Sequence, residues 1–136
     1  MKKKVLFICT HNSARSQIAE GLLNALHGDR YEAYSAGIEP TTINPHATKA
    51  MSEIGVDISK QRAKSIEEFR GKKFDYVVTV CDQAKETCPF FPGGAILHKS
   101  FEDPAQFKGT EEEILAKIRH VRDEIKGWIE KTFSKQ

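Results

Sequence analysis

Apolar positions change their period several times along this chain, and each change marks an element. KVLFICT, residues 4–10, is a nearly continuous apolar run of the kind a parallel sheet buries on both faces. A polar loop follows at once. From about Arg15 the period switches, with Ile18, Leu22, Leu23 and Leu26 recurring at spacings of three and four, which predicts an amphipathic helix ending near Gly28. YEAYSAG (31–37) predicts a second strand. In TTINPHATKAMSEIG (41–55), Asn44 is placed to cap a helix with Pro45 at its first position. Its stripe is Ala47, Ala50, Met51 and Ile54, and Gly55 is the stop. FDYVVTV (74–80) predicts a third buried strand, and AIL within GGAILHKS (93–100) a shorter fourth. The last element is a long helix opened by a Thr110–Glu113 capping box, with Ile114, Ile118, Val121, Ile125 and Trp128 on its core face.

Strands alternating with helices argue for an α/β fold built on a parallel sheet with helices on both faces. The 136 residues fit a single domain, 1–136, with no linker, repeat or low-complexity tract. Composition changes little in this picture: 39% hydrophobic and 29% charged residues are ordinary for a globular chain. A formal net charge of +2, spread along the sequence, gives no basic patch for nucleic acid. No apolar run approaches the length of a membrane span. The apolar stretch at the amino end runs into CTHNSARS without a cleavage pattern, so it reads as a first strand and the expected compartment is the cytoplasm. Three cysteines in that reducing setting point to transient, chemical disulfides over structural ones.

The chemistry is concentrated in CTHNSARS, residues 9–16, at the carboxyl end of the first strand, where open α/β sheets bind ligands. A loop of small and polar residues entering a helix can turn the backbone N–H groups of Thr10, His11, Asn12, Ser13, Ala14 and Arg15 around an anion, assisted by the helix dipole. The Arg15 guanidinium adds a planar fork of donors, and Ser16 a further hydroxyl. Cys9 would lie beneath the central atom of a tetrahedral oxyanion, with a thiol pKa expected to be lowered by the helix terminus and the arginine.

CTHNSARSQIAEG resembles the phosphate-binding loop of the low-molecular-weight protein tyrosine phosphatase fold. The resemblance continues through YSAGIEP, NPHATKAM, DYVVTVC and FEDPA, and is most like the thioredoxin-coupled arsenate reductases of that fold. It implies a four-stranded parallel sheet, a role in arsenic detoxification and no tightly bound cofactor or metal. Arsenate is the implied substrate and thioredoxin the implied partner, with a monomer expected and a weak phosphatase side activity. A phosphatase of this kind needs the loop cysteine, the arginine and an acid, but not Cys81 or Cys88. The resemblance implies that Cys9, Cys81 and Cys88 act in turn and leave a redox-active disulfide between Cys81 and Cys88. If 81–88 is helical when reduced, their Cα atoms lie about 10 Å apart, beyond disulfide reach, so the segment must unwind during turnover. A zinc site from Cys81, Cys88 and His98 lacks the usual spacing and a fourth ligand.

For the acid, FEDPAQF offers Glu102 and Asp103, and the resemblance aligns Asp103. Ala105 follows the Asp-Pro where phosphatases of the fold often have tyrosine, which favours a small inorganic substrate. Asn12 is expected to hold the loop through the backbone or Ser35. Some relatives bind potassium there with a serine matching Ser35 and an aspartate matching position 64. Here that position is Lys64, whose ammonium is expected to take the ion's place. Two rivals stay open on the sequence: a phosphomonoesterase, and a non-catalytic oxyanion-binding or redox-sensing module.

Overall fold

The structure is a computed structural model that describes residues 2–81 and 94–133. Its sheet has four parallel strands: β1 (Lys3–Cys9), β2 (Tyr31–Gly37), β3 (Tyr76–Thr79) and β4 (Ala95–His98). They lie in the order β2-β1-β3-β4. β1 is central, and Val5 to Ile8 are fully buried, which is why its apolar run is continuous instead of alternating. It pairs with β2 from Lys3↔Tyr31 to Cys9↔Gly37 and with β3 from Val5↔Tyr76 to Ile8↔Thr79. β3 is shorter than its apolar run, yet backbone bonds from Asp75 N–H to Lys4 O (2.8 Å) and Val80 N–H to Ile8 O (2.9 Å) carry the pairing past both of its ends.

The described helices are α1 (Arg15–His27), α2 (Pro45–Ser52) and α3 (Glu111–Phe133). α2 starts as its sequence dictates, with Asn44 Oδ1 accepting the His46 N–H at 2.8 Å and Pro45 in the first turn. At the start of α3, Glu113 Oε1 accepts the Thr110 N–H (2.8 Å) and Thr110 Oγ1 accepts the Glu113 N–H (3.2 Å), closing the capping box. Two 3-10 turns, Ile66–Phe69 and Pro104–Gln106, fill the connections.

Phe133, at the end of α3, meets Phe7, Tyr31 and Tyr76 edge to face on one side of the sheet. On the other side Tyr34, Phe69 and Phe74 form their own aromatic cluster. α2 packs on α3 through Ala50, Leu115 and Ile118. Three apolar positions depart from the sequence reading. Leu26 is exposed in the last turn of α1, which outruns the core, and Ile54 is exposed because α2 ends at Ser52, before reaching it. Ile96 is 63% exposed because β4 is an edge strand.

Candidate active site

The loop between β1 and α1 is held from outside by its own carbonyls. Those of Cys9, Thr10, His11 and Ser13 accept the N–H groups of Ile38, Glu39, Thr41 and Asn44 at 2.8–3.2 Å, from the chain that leaves β2. Asn12 takes a left-handed conformation, φ 52°, which asparagine tolerates better than most residues. Such an alternation turns successive N–H groups to the concave side. α1 then begins at Arg15, with Ala14 at the cap position offering no side-chain cap and no acidic residue in the first turn, so its positive end is left to a ligand.

A pocket of about 100 Å³ opens there, lined by Cys9, His11, Ser13, Ala14, Arg15, Thr41, Asn44, Asp103 and Ala105. A single water needs only about 10–15 Å³ of such space, so the pocket has room for a small oxyanion. Arg15 is buried, and its guanidinium is aimed by the 101–103 segment, donating to Phe101 O (3.3 Å) and pairing with Asp103 Oδ1 (3.5 Å). Asp103 also accepts the Ala105 N–H, so the Asp-Pro turn and the pocket wall are one feature. Glu102, the other acid considered, lies along a neighbouring groove with Lys99 and Trp128 and does not line this pocket.

Cys81 comes to the site from the end of β3. Both Cys9 and Cys81 are buried thiols, and Thr10 Oγ1 shares a hydrogen bond with Cys81 Sγ at 3.2 Å. The Cys9 thiol is pushed up from its ordinary value, first by its hydrogen bond with Cys81 and next by burial; the Arg15 charge and the His11 N–H pull it down. This corrects the lowered pKa expected from the loop alone: folding brings a second thiol against the first, and that contact outweighs the arginine. His11 donates its ring Nδ1–H to Glu39 O at 3.0 Å, since a carbonyl only accepts. Cys88, its pairing with Cys81 and the expected unwinding of 81–88 lie outside the described residues.

Behind the loop, Asn12 Nδ2 donates to Ser16 Oγ (2.7 Å), and Asn12 Oδ1 accepts the Lys64 N–H (2.9 Å) and Gln17 Nε2 (2.8 Å). Asn12 thus does not bond Ser35, whose hydroxyl donates to Glu20 Oε1 at 2.5 Å. Lys64 Nζ lies 3.6 Å from the same carboxylate and donates to Arg62 O at 2.8 Å. Burial pushes the Glu20 carboxyl up, against the pull of Ser35 and Lys64, and pushes the Lys64 ammonium down.

Gln17, Glu20, Gly37 and Gln61 were not legible as site residues. Gly37 carried a signal, since it ends a strand beside the loop: a Cβ there would come within 2.9 Å of Asn12 N, Asn12 Cβ and His11 C. For Gln17, Glu20 and Gln61 the partners come from a segment over 40 residues away or from β2, which no local pattern reveals.

A thiol at a strand end, an N–H cradle running into a helix and a buried arginine define a cysteine-dependent oxyanion-binding fold of the phosphatase type. The chain belongs to the low molecular weight phosphotyrosine protein phosphatase family, whose model matches residues 4–135. Within it, the chain is 48% identical over 134 residues to an arsenate reductase of Halalkalibacterium halodurans, the match covering 98% of this chain and 96% of that one. Among solved structures it is similar to an arsenate reductase in the phosphate-binding state (TM-score 0.83, 33% identity, 99% and 98% of the two chains). It is also similar to a thioredoxin-dependent arsenate reductase of Corynebacterium glutamicum (TM-score 0.66, 33% identity, 96% of this chain and 63% of that one).

Proposed function

We propose that this chain is a cytoplasmic arsenate reductase that converts arsenate to arsenite in arsenic detoxification, using three cysteines in turn and drawing electrons from thioredoxin. The observation that carries the reading is a second buried thiol beside the cradle: Cys81 Sγ shares a 3.2 Å hydrogen bond with Oγ1 of Thr10, the residue after Cys9, a placement that hydrolysis of a phosphoester has no use for. The arsenate reductases among its relatives support the substrate, and the thioredoxin-dependent one supports the reductant.

In this reading the loop N–H groups of Thr10 to Ser16 and the Arg15 fork hold arsenate over Cys9. The Cys9 thiolate attacks arsenic; a sulfur–arsenic bond forms, and an oxygen leaves as water with a proton from Asp103. Cys81 then attacks Cys9 sulfur. A disulfide forms, the sulfur–arsenic bond breaks, and its electron pair stays on arsenic, which departs as arsenite. Cys88 next attacks Cys81, freeing Cys9 and leaving the 81–88 disulfide for thioredoxin to reduce. Ser35 and Lys64 act behind the loop, the ammonium occupying the place of a cation beside Glu20. No tightly bound cofactor takes part.

The test follows NADPH oxidation with thioredoxin and thioredoxin reductase on adding arsenate, for the parent and for Cys9, Cys81 and Cys88 each changed to serine. Arsenate-dependent turnover in the parent and none in any variant is expected. A parent without turnover sinks the activity, and turnover retained in Cys88→Ser sinks the last step of the relay. Hydrolysis of an aryl phosphate by the parent does not separate the phosphatase reading, because the cradle is shared; indifference of arsenate turnover to Cys81 would.

A further inference from the structure

We propose that Gln17 is a positioning residue of the oxyanion cradle: through it the 56–65 segment fixes the Asn12 side chain, and with it the left-handed turn that points the loop N–H groups inward. Gln17 is fully buried in the first turn of α1. Its Nε2 carries two protons and meets three oxygens, Asn12 O at 3.1 Å, Asn12 Oδ1 at 2.8 Å and Arg62 O at 2.9 Å. One proton serves Arg62 and the other bridges both oxygens of Asn12. The far end of the amide is held in turn, since Gln61 Nε2 donates to Gln17 Oε1 (2.6 Å) and to Gln17 O (3.1 Å).

The consequence is a fixed orientation for Asn12. Two donors, Gln17 Nε2 and the Lys64 N–H, converge on Asn12 Oδ1. Flipping the amide would set Nδ2 against both of them, so Oδ1 stays toward 64 and Nδ2 stays on Ser16. The main-chain carbonyl of Asn12 is pinned by the same proton, and φ 52° is thereby held from the side chain and the backbone at once. The bracing segment packs directly on α1: a Cβ on Gly21 would lie 2.6 Å from Ile58 Cγ2, and Ile58 is fully buried. An apolar side chain at 17 would fill the space but leave the Asn12 and Arg62 carbonyls without this donor and the Asn12 amide free to turn.

This inference rests on the proposed function only in that the cradle takes an oxyanion, so its test reads binding of inorganic phosphate by calorimetry and not arsenate turnover. Gln17→Met is expected to weaken phosphate binding about tenfold. In an Asn12→Gly background, where glycine tolerates the turn and no amide remains to orient, the same change is expected to cost less than about twofold. Asn24→Ala, which removes a comparable pair of side-chain bonds to Ala33 elsewhere on α1, is expected to lower stability and leave phosphate affinity unchanged. Parent-like binding by Gln17→Met, or an equal loss in both backgrounds, overturns the proposal. If Gln17→Met does not fold, Gln61→Ala releases the brace from its far end and is expected to weaken binding about threefold; an unchanged affinity there overturns it too.

Discussion

Two thiols that share a hydrogen bond do not titrate as separate groups. The Cys81 thiol is the largest of the causes that raise the Cys9 pKa, ahead of burial. Cys81→Ala removes it while Arg15 and the His11 N–H continue to favour thiolate. Thiolate at Cys9 therefore appears at lower pH, and the pH profile of its alkylation by iodoacetamide, resolved by peptide mass, is expected to move in the acidic direction. A profile that stays put would mean that burial alone sets the thiol. Asp103→Asn keeps an oxygen for the Ala105 N–H but loses both the proton donor and the charge beside Arg15. Single-turnover formation of arsenite is expected to slow by about a hundredfold or more, with the fold unchanged by circular dichroism. At this scale the pocket-lining residues between Cys9 and Arg15 were legible because they sit in one run, and Asp103 because it opens an Asp-Pro turn. Of those that hold that run in shape, Asn12 was legible, whereas Gln17 and Glu20 look like ordinary polar helix positions until the 56–65 segment and β2 are laid beside them.

The elements show the same division between local and distant causes. Caps are local, and both the Asn44 cap and the Thr110–Glu113 box stand where the sequence puts them. Thr110→Ala is expected to cost about 1 kcal/mol in urea unfolding and to leave phosphate affinity alone, since the box lies on α3 and away from the pocket. Core faces are less local. The stripe read on α3 omitted Leu115, Ile129 and Phe133, because this helix packs against α2 and the sheet together and buries a wider face than one period of apolar residues suggests. The end of β2 bears directly on the cradle. Gly37→Ala puts a methyl group against the backbone of His11 and Asn12, which cannot swing aside as a side-chain tip would. A loss of about 1–3 kcal/mol in stability is expected, together with weaker phosphate binding. Weaker binding without a stability cost would mean that the loop shifts freely and is not wedged against β2.

For the whole molecule, the sheet has a chemical end and a structural end. The carboxyl ends of β1 and β3 deliver Cys9 and Cys81, whereas Tyr31 and Tyr76, the first residues of β2 and β3, meet Phe133 at the opposite end. Phe133 also touches Phe7, so this last turn of α3 is tied to three strands of the sheet by three edge-to-face contacts, with Trp128 of the same helix packed against it. Phe133 belongs to the same continuous core as Val5 to Ile8, and a cavity there has to be shared by the sheet and not absorbed by one loop. Phe133→Ala is therefore expected to lower unfolding free energy by about 3–5 kcal/mol while leaving the urea m-value unchanged. Because the loop is braced from β2, α1 and the 56–65 segment, and the cluster reaches the cradle only at second hand, through Trp128 and the Phe101 whose carbonyl accepts from Arg15, phosphate affinity of the variant, measured well below its midpoint of thermal unfolding, is expected to match the parent. A marked fall in affinity under those conditions would show that the cradle depends on the far end of the sheet, and that stability and oxyanion binding are not separable along its strands.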